Sequence, residues 1–123
     1  MEYLLLIHGD ERVWDALSDE QEAELDAAHA RFGREMYQAG VKVLYGGGLA
    51  RGATARLVVP GDDAAGNAAA VDPVSDGPYR EGHEHLGGVW VIDVGSEQEA
   101  VDWARRMPAA AGDLVEVRPV RVT

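Results

Sequence analysis

The run Tyr3-Leu4-Leu5-Leu6-Ile7-His8 is apolar on both faces of an extended chain, and Gly9-Asp10 stop it. That length and that ending suit a central strand with side chains of both faces withdrawn from water. A helix must then follow, because Ser18-Asp19-Glu20-Gln21 has the form of a capping box. From Asp19 onward Leu25, His29, Phe32 and Met36 recur as one stripe at helical spacing, and Gly40 is a natural stop. A strand followed by an amphipathic helix wants a second strand to return to.

The rest of the chain supplies it. Residues 41–49 and 53–59 read as strands, and Pro60-Gly61-Asp62 closes the second. Residues 61–70 read as an exposed loop tip, and 71–75 as a short strand returning against 54–59. The glycines and proline of the stretch 76–88 point to irregular backbone. Residues 88–94 then form a strand, Ser96-Glu97-Gln98-Glu99 opens a second helix through Met107, and Pro108 ends it. A last strand spans 114–122, with Pro119 marking a bulge or an edge.

The order β-α-β-(β-β)-β-α-β describes an α+β chain: a ferredoxin-like split βαβ sheet with a β-hairpin insertion and both helices on one face. The length of 123 residues fits a single domain over 1–123. The other sheet face has nothing in the chain to cover it, so a homodimer with sheets packed face to face is expected.

Composition removes several functions. With 22 Asp+Glu against 11 Lys+Arg, the net charge of −11 disfavours nucleic acid and anionic membrane surfaces. Eight of the acids lie within residues 10–26 with one base, Arg12, so the charge is mainly a solvated face leading into the first helix. The segment holding Arg51, Arg56, Arg80 and the histidines is near balance, which leaves an acidic small molecule acceptable as ligand. No cysteine is present, removing disulfides, thiolate nucleophiles and Cys-based metal sites. No stretch has the length of a membrane span and no leader pattern is seen, so a cytoplasmic location is expected. The triple glycine 46–48 has no nucleotide-binding register, and reads instead as a bend or a close approach of chains.

His29 is the most informative residue, because it occupies an apolar stripe where Leu or Ala is the simpler choice. Its ring nitrogens need polar partners, so it is either a general base or acid near neutrality or a satisfied histidine at the core rim. Asp76 is either a turn former before Gly77-Pro78 or a carboxylate that orients an imidazole. His83 and His85 alternate and project to one side if extended. The HEXXH spacing is absent and H-x-H is common in solvated loops, so no metal site is assigned. His8, ending the first strand, borders the same region or is simply half-exposed.

These residues also resemble the YCII-related family, in its branch with the DGPF signature. The matching pieces are Tyr3 to Glu11 with Trp14, Leu17-Ser18, Ala39-Gly40-Val41, Gly47-Gly48-Leu49, Asp76-Gly77-Pro78-Tyr79, Leu86-Gly87-Gly88 and Val115 to Val120. Tyr79 stands where Phe is usual, and Gly82-His83 replace the common Thr-Lys. The resemblance implies a dimeric α/β barrel and a cleft holding a His–Asp acid/base pair, with lyase-type dehydrohalogenation attached to the wider family. It assigns His29 as the catalytic histidine, by its interval to Gly40, and Asp76 as its carboxylate. Tyr79, Arg80, His83, His85 and His8 follow as substrate-binding candidates. No cofactor is expected. Two functions follow: a cofactor-independent lyase or isomerase acting on a small organic substrate, or a non-catalytic dimer binding a small ligand or a regulatory partner. By family analogy that partner is an extracytoplasmic-function sigma factor.

Overall fold

The computed structural model describes residues 1–61 and 74–122. They form two compact units, Met1–Leu49 with His83–Thr123, and Ala50–Gly82. The first unit is an antiparallel four-stranded sheet with three helices, compatible with a ferredoxin-like fold. Its strands are β1 (Glu2–Asp10), β2 (Lys42–Gly48), the strand Glu84–Asp93 and the strand Leu114–Pro119. The second unit holds a 3-10 turn, Gly52–Thr54, and a two-stranded ladder, β3 (Arg56–Val58) with β4 (Val74–Asp76). With these named, Glu84–Asp93 is β5 and Leu114–Pro119 is β6, and the main sheet runs β2-β5-β1-β6.

β1 is interior, as its apolar run requires, but its two faces differ. Tyr3, Leu5 and Ile7 are buried, whereas Leu4, Leu6 and His8 are half-buried. The buried face meets both long helices, α2 (Asp19–Gln38) and α3 (Glu97–Arg105), through Phe32, Met36, Ala100 and Trp103. Both helices therefore lie on one side of the sheet. Burying large side chains such as Phe32 and Met36 contributes about 1.5–3 kcal/mol each.

The first capping box is complete, whereas the second keeps only its Ser96 half, because the Glu99 carboxylate accepts from Gly95 N instead. Ser18 Oγ accepts from Gln21 N at 3.1 Å while Gln21 Oε1 accepts from Ser18 N at 2.9 Å. Ser96 Oγ accepts from Glu99 N at 3.2 Å. The second helix stops at Arg105, two residues short of Met107, and the final strand at Pro119 rather than 122. Pro119 ends an edge strand, where its missing N–H costs no ladder bond.

Three expectations need correcting. β5 begins at Glu84, not Gly88, so His85 lies within the sheet, opposite Gly9. Residues 53–55 belong to the 3-10 turn and its cap rather than to a strand. A short helix, α1 (Glu11–Asp15), follows β1 directly, capped by Asp10, whose carboxylate accepts from Arg12 N at 2.8 Å. The returning strand placed at 71–75 is seen as β4, paired Leu57↔Ser75; its first residues and the loop tip at 62–70 lie outside the described residues.

Candidate functional site

The polar candidates on the helix-covered side of the sheet begin with His29. His29 enters from α2, three residues before Phe32 and seven before Met36, so it shares their face of the helix. Its ring stacks on Trp90 of β5, with centroids 6.3 Å apart and planes 17° from parallel. Trp90 also meets Phe32 edge-on at 5.4 Å. The indole lies close over glycines: a Cβ at Gly33 would come within 3.2 Å of it, and one at Gly46 would enter the ring. The triple glycine is thus partly explained, as a place where a tryptophan ring, rather than another backbone, comes near.

His29 is half-buried, and burial pushes its pKa below the ordinary value. The charges of Asp26 and Asp113 and the backbone of Pro108 act against that.

Asp113 was not a candidate from sequence. It precedes β6, and both its oxygens are engaged: Oδ1 accepts the Trp14 indole N–H at 3.0 Å, and Oδ2 accepts Ala110 N at 2.9 Å. Asp113 N in turn donates to the Ala110 carbonyl at 3.1 Å. Trp14, buried on α1, covers Gly9 and Gly87, where a Cβ would collide with its ring. Gly87 is the extra residue in the irregular step of the β1–β5 ladder, between the pairs Ile7↔Gly88 and His8↔Leu86. The one sequence signal for this arrangement is the placing of Gly9 and Gly87 beside strand residues, where glycine marks close approach.

The histidines separate. His85 is buried, with Nε2 3.7 Å from the carboxylate of Glu11, itself largely covered. His83 is exposed, and its carbonyl accepts from Glu11 N at 2.8 Å, tying β5's start to α1. His8 alternates with Ile7 and so lies on the sheet face away from the helices and His29. There its Nε2 is 2.8 Å from Glu116 Oε1. Glu116 also accepts from Arg118, and these bonds, from Arg118 first, lower its pKa. Asp10 is held at about 2 by Arg12.

Asp76, Tyr79 and Arg80 belong to the second unit. Asp76 is exposed on β4 with its carboxylate 3.4 Å from Arg56, and Tyr79 is exposed. Gly77 N donates to the Ala55 carbonyl at 2.8 Å, in contact too close for a side chain. Among the described residues no group of three or more His, Asp or Glu is arranged to hold a metal ion, and no helix is long and apolar enough to cross a membrane.

An antiparallel sheet with its two longer helices on one side, and a half-buried histidine stacked on a sheet tryptophan, defines a class of small α+β protein. The chain belongs to the family of the YCII-related domain, whose model matches it over residues 1–123. No curated protein matches it.

Proposed function

We propose that the chain is a homodimeric acid–base catalyst of the DGPF-signature branch, carrying out cofactor-independent lyase- or isomerase-type chemistry on a small organic substrate. The observation that carries this reading is His29 itself. It is a histidine on an apolar helix face, stacked on Trp90, with its pKa lowered by burial. Such a ring is neutral at physiological pH and presents a basic nitrogen, which is what a general base needs. It takes a proton from a carbon acid at that nitrogen and returns it to the product or leaving group.

The branch assignment rests on Asp76-Gly77-Pro78-Tyr79. The family resemblance gives Asp76 the catalytic carboxylate role and Tyr79, Arg80, His83, His85 and His8 the substrate side. Self-association is supported by the sheet face opposite the helices, where Leu4 pairs with Val91 and Leu6 with Val89, all half-buried in the single chain.

The test is proton exchange in D2O, followed by NMR over a panel of small carbonyl acids and chlorinated phenols, with halide release measured in parallel. Exchange or elimination that is lost in His29→Gln supports the reading, and Asp76→Asn measures the signature carboxylate's part. Equal behaviour of wild type and His29→Gln across the panel contradicts it.

A further inference from the structure

Deepening that reading, and resting on it, we propose that Trp90 is the positioning residue of His29: its indole sets the plane of the imidazole and keeps water from that face of the ring. The two rings lie 17° from parallel with centroids 6.3 Å apart, within the range of offset stacking. Trp90 comes from the sheet, paired with Leu5 of β1 on one side and Gly46 of β2 on the other, whereas His29 comes from α2. The stack therefore joins the helix layer to the sheet layer, and the indole is the wall that β5 gives the imidazole.

A wall of this kind works only if it is held, and three neighbours hold it. Phe32, buried and one turn along α2 from His29, meets the indole edge-on at 5.4 Å and is itself met by Trp103 of α3 at 6.0 Å. Gly46 lies against the ring, since a Cβ there would overlap the indole Cε3. Gly33 receives its far edge, since a Cβ there would lie 3.2 Å from Cη2. Neither glycine has a positive φ, and Gly33 sits inside a 20-residue helix, where glycine is costly compared with alanine. The room that each leaves for Trp90 is the reason for it. Trp90 acts through His29: covering the ring disfavours its charged form, and burial is the leading influence on its basicity. The charged groups that act on His29, Asp26 of α2 and Asp113 ahead of β6, oppose that influence and stay in place when Trp90 is replaced.

The experiment is an NMR titration of the His29 ring in wild type, Trp90→Leu and Trp90→Phe, with thermal melts alongside. Leu is apolar but too small to cover the imidazole, whereas Phe keeps a flat ring. The expected result is a His29 midpoint raised toward the ordinary 6.5 in Trp90→Leu and held nearer the wild-type value in Trp90→Phe. A merely structural Trp90 would lower the melting temperature in both variants and leave the midpoint where it was. An unmoved or lowered midpoint in Trp90→Leu, or an equal rise in Trp90→Phe, overturns the proposal. Should either variant not fold, the tryptophan fluorescence of wild type is titrated beside that of His29→Gln. A protonated imidazole stacked on an indole quenches it, so wild-type emission should fall at the His29 midpoint and His29→Gln should lack that step. The same curve in both overturns the proposal as well. These readouts need no turnover. Absence of any His29-dependent reaction therefore sinks the catalytic reading and leaves this one measurable, while an active enzyme whose His29 midpoint is indifferent to Trp90 sinks this one alone.

Discussion

Gly9→Ala is the sharpest perturbation that the packing around Asp113 offers. The added methyl would overlap Asp113 Oδ1, sit 3.0 Å from Asp113 Cγ and press on Trp14 at 2.7 Å. Forcing a methyl into a filled site costs about 1–3 kcal/mol. If the carboxylate swings away, the bond from the Trp14 N–H is lost as well, a further ~1.5–3 kcal/mol for a bond to a charged group. Because Gly9 has no positive φ, alanine fits the backbone and recovers about 0.4–1 kcal/mol through the unfolded chain. The net expectation is a loss of about 2–5 kcal/mol, or a Tm lower by roughly 8–20 °C for a chain of this size. Urea and thermal unfolding, read by tryptophan fluorescence and checked for two-state behaviour, give the number. The cause is isolated by repeating Gly9→Ala in an Asp113→Ala background. There the cost should shrink to what Trp14 alone imposes, with a coupling of about 1–3 kcal/mol between the two positions. A loss under ~0.5 kcal/mol, or an equal loss in both backgrounds, would refute the reasoning that Gly9 exists to admit Asp113.

Other outcomes follow from the same structure. Since burial makes His29 harder to protonate when folded, the unfolded chain takes up that proton first as pH falls below about 6.5, and stability declines from there until the folded ring protonates too. His29→Leu should therefore unfold at an equal or higher temperature than wild type near pH 5.5, with a flatter profile between about pH 7 and 5, measured by thermal melts. The carboxylates of Asp10, Asp93 and Glu116, all held below their usual range, withdraw stability progressively below about pH 5, outside that window. Ser18→Ala removes the acceptor of Gln21 N and should cost about 1 kcal/mol by urea unfolding; no change would mean that the capping box contributes nothing. Leu6→Asp, in the middle of the uncovered sheet face, should convert a wild-type dimer to monomer in sedimentation velocity. A wild-type chain that sediments as a monomer at tens of micromolar contradicts the proposed self-association.

Much of the fold was legible because local signals and the global pattern agree. β1 announces itself by an unbroken apolar run, and α2 by a capping box whose stripe of Phe32 and Met36 is the face that is buried. What escaped did so for physical reasons. The five residues of α1 are too few to show a helical period, and their cap, Asp10, looked like a strand's end. The start of β5 is hidden because Gly82, Gly87 and the polar His83-Glu84-His85 imitate a loop, whereas pairing with β1 and burial beside Glu11 draw His85 into the sheet. His29 stood out since an imidazole on an apolar stripe demands an explanation. Asp113 did not, because its partner Trp14 lies 99 positions away and nothing local marks a surface-looking Gly-Asp as fixed. Only the glycines facing Trp14 carried a hint of it.

The most direct test is the titration of the wild-type His29 imidazole by NMR. Its midpoint should lie below the ordinary 6.5, because burial disfavours the charged ring. A midpoint at or above 6.5 would contradict a base desolvated by burial and remove the basis for assigning His29 the chemistry.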